Sequence, residues 1–199
     1  MAPHFCIICE TLPGGGGRLK TSLRSMKTIV LSGQWNTGKS FAIFHAVKWL
    51  CEKYTGFEYQ DVPFDKALYA GRKYCSEESD LRTLLNVNGK KILFCSATDD
   101  EECIMILKDI LNQLAVNQLY PDILVTSCRR YDDTPYPIMI REMGWREDGK
   151  MLFDKDGHEI IQIPLLRAKY EHGLEVIDWY NEFTARQLQI ILELMIFDK

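Results

Sequence analysis

Gly33-Gln34-Trp35-Asn36-Thr37-Gly38-Lys39-Ser40 is the stretch on which the reading of this chain turns. It fills the pattern G-x-x-x-x-G-K-[ST], and each fixed position has a physical reason. Glycines let the backbone curl into a nest of N–H groups around a polyphosphate. A lysine at position 39 reaches the β- and γ-phosphates, and the Ser40 hydroxyl is a hard oxygen donor for Mg²⁺. Gln34, Trp35, Asn36 and Thr37 form the wall of the loop. Trp35 is a large aromatic for such a place. It either stacks on a base or a partner, or packs on the outer face of the loop.

The flanks carry the context that the motif needs. Thr28-Ile29-Val30-Leu31 is a short β-branched apolar run, which predicts a buried strand. After the loop, Ile43, Val47, Leu50 and Tyr54 share one helical face, with Ala42, Ala46 and Trp49 beside it. Strand, loop and helix follow in order, and the loop meets the helix at the end whose dipole favours anions.

Bulk properties narrow the class. The chain has 199 residues, 46% hydrophobic and 26% charged, which is enough for one globular domain with a sizeable core. Its formal net charge of −4 and the lack of any long basic run give no electrostatic footprint for nucleic acid. No stretch reaches the ~18 apolar residues of a membrane helix. The seven cysteines are an odd number, and Cys51, Cys95, Cys103 and Cys128 lie in apolar runs, as thiols do in a reducing cytoplasm. Cys6 and Cys9 have C-x-x-C spacing but no second pair to complete a zinc site.

Residues 1–25, with Gly14-Gly15-Gly16-Gly17, differ from the rest and are expected to be a flexible extension. Met26-Lys27 directly ahead of the first strand suggests Met26 as a natural start, with residues 26–199 forming one domain. Further along, Asp80–Val87 and Lys90–Cys95 flank Asn88-Gly89, a strong hairpin signal. A helix is expected from about Glu101, with Ile104, Leu107, Ile110, Leu111 and Leu114 at helical spacing and Pro121 beyond its end. Asp122–Ser127 predicts another buried strand, 131–137 a loop with two prolines, and 138–145 a short helix. Met151–Phe153 and Glu159–Pro164 predict a second hairpin around Asp156-Gly157. A closing helix over 178–197 would turn Phe183, Leu188, Ile191, Leu192 and Met195 inward.

That order of elements implies an α/β fold, a three-layer α/β/α domain with a mainly parallel sheet and one hairpin-borne antiparallel strand. Ligands of such sheets sit at the carboxyl ends of the strands. Two loops there carry suitable residues. Ser96-Ala97-Thr98-Asp99-Asp100 supplies acids near a metal, or else a helix cap and first turn, with Thr98 or Asp99 capping while the other faces the metal. Ser127-Cys128-Arg129-Arg130 supplies arginines to offset charge on a transferring phosphoryl group, or else a solvated pair bridging to Asp132 and Asp133. His45 lies within the apolar helix, where a histidine is more often a core or helix-surface residue than a catalytic base, and His158 and His172 lack a partner at metal spacing. Asp61 and Asp65 follow the first helix, where a substrate or switch residue would stand by analogy alone.

With these residues in view, the chain resembles the P-loop NTPase superfamily. The resemblance rests on Gly33–Ser40 (its Walker A motif) with the flanking strand and helix, and on the strand ends at Ser96–Asp99 and Ser127–Arg129. The hairpin after the first helix is similar to that of small GTPases, but an N-K-x-D motif and a D-x-x-G after the hairpin are absent. Nucleotide kinases resemble the layout too, without a recognisable arginine-rich lid here. The resemblance implies a purine nucleoside triphosphate, ATP favoured, bound with Mg²⁺. Lys39, Asp99 and Arg129 would be the catalytic set, and Ser40 with Asp99 the metal set. It implies hydrolysis or phosphoryl transfer to a small-molecule acceptor. The alternatives are a nucleotide-dependent switch with a protein partner and a scaffold that binds without turnover.

Overall fold

The computed structural model describes residues 26–34, 37–54, 58–60, 81–129, 133–165 and 174–197. The N-terminal extension, the Cys6/Cys9 pair, Trp35, Asn36, Asp61, Asp65, Arg130, Asp132 and His172 lie outside the described residues.

Among the described residues, eight strands and four helices are arranged in an α/β fold with one mixed sheet. Strand β1 (Lys27–Ser32) leads into helix α1 (Lys39–Lys53), followed by β2 (Glu58–Gln60), β3 (Arg82–Val87) and β4 (Lys90–Cys95). Helix α2 (Glu101–Val116), β5 (Ile123–Cys128) and α3 (Pro135–Met143) come next. Strands β6 (Arg146–Asp148), β7 (Met151–Phe153) and β8 (Glu159–Pro164) precede the long helix α4 (Leu174–Phe197).

The strand order is β2-β3-β4-β5-β1-β8-β7-β6. The pairs β4·β5, β5·β1 and β1·β8 are parallel. Both flanks are antiparallel, through β2·β3·β4 on one side and β6·β7·β8 on the other. The expected mainly parallel sheet is therefore corrected to a parallel centre of four strands between two antiparallel flanks. The physical reason is loop length: Asn88-Gly89, Gly149-Lys150 and the 154–158 turn are too short for a crossover and force hairpins.

Alternation along the central strands splits the core in two. Ile29, Leu31, Phe94 and Val125 join Ile43, Val47 and Leu50 of α1 and Leu188 and Leu192 of α4. Val30, Leu93 and Leu124 join Ile104, Leu107, Ile110 and Leu114 of α2 and Met139 of α3. Each central strand is covered on both faces, which is why its sequence reads as an unbroken apolar run.

Other expectations shift at their edges. The prolines at 135 and 137 belong to the first turn of α3, where a missing N–H costs nothing, and not to a loop. Strand β6 was not anticipated, because Arg146, Glu147 and Asp148 are all exposed and carry no apolar alternation. In α4, Leu188 and Leu192 are buried as expected, whereas Phe183 is exposed. No helix among the described residues is long and apolar enough to cross a membrane.

Candidate functional site

The parallel centre brings the carboxyl ends of β1, β4, β5 and β8 to one edge. There Gly33 leaves the sheet between its neighbours: its N–H donates to the Cys128 carbonyl, while the Ser32 carbonyl accepts from Leu165 N–H. A Cβ at Gly33 would stand 2.6 Å from Thr37 Oγ1 and 3.0 Å from Leu165 Cβ, so a side chain there would displace the Thr37 hydroxyl. Thr37 closes the loop by donating its hydroxyl to the Gln34 carbonyl at 2.9 Å. Gly38 then takes φ +80°, the left-handed region, at the N-cap of α1. It contributes no side-chain cap, so the first amides of α1 lack an internal acceptor, the usual condition at a helix start.

Lys39 opens α1 and is buried, 5% exposed. Its Nζ donates to the carbonyls of Gly33 at 3.2 Å and Gln34 at 2.8 Å, folding the ammonium back over its own loop. It also lies 3.4 Å from Asp99 Oδ1, and Arg129 Nε approaches the same oxygen at 3.3 Å. Three sequence-predicted residues thus meet at one point, from α1, the β4–α2 connection and the end of β5. Ser40 is the second residue of α1, half-buried beside them in sequence.

Asp99 and Asp100 divide the two roles foreseen for this loop. Asp100 is the N-cap of α2, its Oδ1 accepting from Cys103 N–H at 2.8 Å. Asp99 faces the cations. Thr98 caps nothing. It is fully buried, bonding the Ser127 carbonyl and lying 2.8 Å from the Ser127 hydroxyl. Ser127 in turn donates to the Ser96 carbonyl, and Ser96 Oγ accepts from Leu81 N–H. These hydroxyls stitch the ends of β4 and β5 together and fix where Asp99 and Arg129 emerge.

The electrostatics are strained in one direction. Burial lowers the Lys39 pKa; the Asp99 carboxylate opposes that shift and the Arg129 charge adds to it. Two cations share one carboxylate, which leaves an excess positive charge. Asp99 Oδ1 and Arg129 Nε are each buried at the atom without a partner in hydrogen-bond geometry, despite their ion-pair distances. The spare Arg129 Nε–H beside the Lys39 ammonium suits the acceptor oxygens of an anion, and the spare Asp99 oxygen suits a cation or a donor. The Asp99 side chain is 37% exposed, so the carboxylate still reaches solvent. With the Ser40 hydroxyl it offers hard oxygen donors of the type Mg²⁺ takes. Cys128 is no rival nucleophile, because burial pushes its thiol up to about 12.

Two features escaped sequence reasoning. Asn181 of α4 lies against the loop: a Cβ on Gly38 would meet its Oδ1 at 2.1 Å. Phe41 and His45 of α1 face Glu182, Ala185, Arg186 and Gln189 of α4 across an open cavity of about 320 Å³. The closing helix was foreseen, but nothing in its spacing tells which residue touches a loop so distant in sequence. Comparison of the chain with family models, with curated proteins and with solved structures finds no match.

Proposed function

We propose that this chain is a three-layer α/β/α P-loop domain that binds a Mg²⁺–nucleoside triphosphate, ATP favoured, and hydrolyses it or passes its terminal phosphoryl group to a small acceptor. The observation that carries the proposal is the buried Lys39 ammonium, folded onto the Gly33 and Gln34 carbonyls with Asp99 and Arg129 over it. A buried lysine whose pKa is lowered gains from an incoming polyphosphate, which supplies the negative charge that one shared carboxylate does not.

In this reading the amides between Gly33 and Lys39 hold the β-phosphate, and Lys39 swings from its own carbonyls to the phosphate oxygens. Ser40 and Asp99 would hold Mg²⁺, which neutralises charge on the phosphates when bound. Arg129, 3.3 Å from Asp99, would face the charge that develops on a transferring phosphoryl group.

The test is a thermal-shift and phosphate-release panel with ATP, GTP and ADP, each with and without Mg²⁺, on wild type, Lys39→Ala and Lys39→Arg. Ligand at a hundredfold excess over Kd stabilises by about 2.7 kcal/mol, a Tm rise of roughly 5–10 °C for a domain of this size. A Mg²⁺-dependent rise is expected for one triphosphate, weakened at least ~30-fold in affinity by Lys39→Ala. Phosphate release beside it separates hydrolysis from binding alone. Full affinity retained by Lys39→Ala would remove the loop from the ligand site.

A further inference from the structure

Helix α4 is apolar on two opposite faces. One, formed by Ala185, Leu188, Leu192 and Ile196, is buried against α1 and the sheet. The other carries Trp179, Phe183, Ile190, Leu194 and Phe197, exposed by 63%, 46%, 54%, 68% and 45%. At the helical repeat these five fall within an arc of roughly 60°, nearly opposite the buried face. Single exposed apolar residues need no explanation, but five on one side of one helix do. Five of the nine large hydrophobics exposed among the described residues stand on this one line. A helix that buries one stripe ordinarily shows charge on the other.

We infer that α4 is the interface of a homodimer, pairing antiparallel with α4 of a second copy. The arrangement of the stripe favours that occupant over an unrelated partner. Its bulky pairs sit at the two ends, Trp179 with Phe183 and Leu194 with Phe197. An antiparallel pairing centred at the level of residue 188 sets Trp179 opposite Phe197, and Phe183 within one residue of Leu194. Because the relation is two-fold, both ends are satisfied in the same register, as an isologous contact requires.

Both ends are already ordered for contact. The Trp179 and Phe183 rings stack with centroids 5.6 Å apart and an interplanar angle of 12°. Phe197 leans on Tyr54 at 5.6 Å, bordered by the Lys53–Glu193 ion pair at 2.6 Å. Pre-placed side chains lose little rotamer freedom on association. The helix is about 36 Å long. Covering the stripe on both copies would remove on the order of 1,200 Å² from water, the lower bound of a stable protein interface.

The decisive measurement is the mass of the full chain by sedimentation equilibrium from about 1 to 100 µM, the range in which such an interface populates its dimer. Wild type is expected at twice the 23.1 kDa of one chain in the upper part of that range. Leu194→Glu and Phe183→Glu place a charge in the interface and should each weaken dimerisation by at least ~10-fold. Both positions face solvent in the single chain, so the circular dichroism of these variants should match wild type. Leu194→Ile should keep the dimer. A wild-type mass of one chain throughout, or a dimer that neither Glu substitution disturbs, would overturn the inference.

Discussion

Asp99 and Asp154 both follow a strand closely, and both lie near a basic side chain, yet they are opposite kinds of carboxylate. Asp154 belongs to the β7–β8 turn and is saturated by it. Its Oδ1 accepts from the N–H groups of Asp156 and His158 at 2.9 and 2.8 Å, and its Oδ2 lies 3.1 Å from His158 Nδ1. With Asp156 and His158 it forms a cluster compact enough to suggest a metal by distance alone. All three residues come from one short turn, and an ion there would have to displace the bonds that hold the turn. Asp99 draws its neighbours from α1 and from the end of β5, and its buried oxygen makes no hydrogen bond to either. Capacity left open, assembled from remote elements, marks a ligand site better than proximity does.

The comparison breaks most sharply under paired substitutions. Asp99→Asn removes the charge that holds both cations and that would meet Mg²⁺. It should weaken the Mg²⁺-dependent part of triphosphate binding by ~10- to 100-fold, as loss of a charge-assisted contact does. Asp154→Asn should leave binding unchanged. Isothermal titration of ATP with and without Mg²⁺ on the two variants measures both. Equal losses, or a loss confined to Asp154→Asn, would invert the assignment of the two carboxylates.

Much of this contrast was foreshadowed locally in the sequence, and the rest was not. The strand before Gly33 and the helix from Lys39 are local patterns, and both form where the pattern places them. The hairpin turns at Asn88-Gly89 and Asp156-Gly157 are local chemistry as well, and they set their strands correctly. Strand order is another matter. β5 lies between β1 and β4, and that insertion is what carries Arg129 to the oxygen of Asp99. Apolar runs announce that a strand is buried but not beside which strand. The same limit hid Asn181 against Gly38, and it turned Phe183 inward on paper although it faces out. Helical spacing identifies a stripe; which of two opposite stripes meets the core is settled by α1 and the sheet.

Two glycines sharpen the comparison. Gly38 and Gly157 both have left-handed φ, +80° and +88°. Alanine at Gly157 would meet nothing within 4 Å, so only the backbone strain of about 1 kcal/mol remains. Alanine at Gly38 adds a contact of 2.1 Å with Asn181 Oδ1, a side-chain end that must move. Gly38→Ala should therefore cost about 2 kcal/mol, and Asn181→Ala in the same chain should recover only the contact, leaving about 1 kcal/mol. Urea unfolding of the three variants separates the terms. If Gly38→Ala costs no more than Gly157→Ala, α4 does not brace the loop.

The smallest effect tests the saturated carboxylate by pH. Burial works to raise the Asp154 pKa, but the bonds from His158 and Asp156 together outweigh it, and the carboxyl is held below its ordinary 3.8. A folded-state pKa below the unfolded one contributes stability that is fully present above the unfolded value. That contribution disappears as the pH falls through the lowered folded value. Asp154→Asn should thus be less stable than wild type at pH 6, by at most about 1 kcal/mol at this exposed turn. The difference should shrink steadily below pH 3.8, as wild type gives up the charge that the variant never had. Urea midpoints at pH 6, 4 and 3 follow it. A gap that stays constant across that range would mean that the turn is held by hydrogen bonds indifferent to charge. Asp154 would then be a spacer in a hairpin, and its difference from Asp99 would lie in location alone.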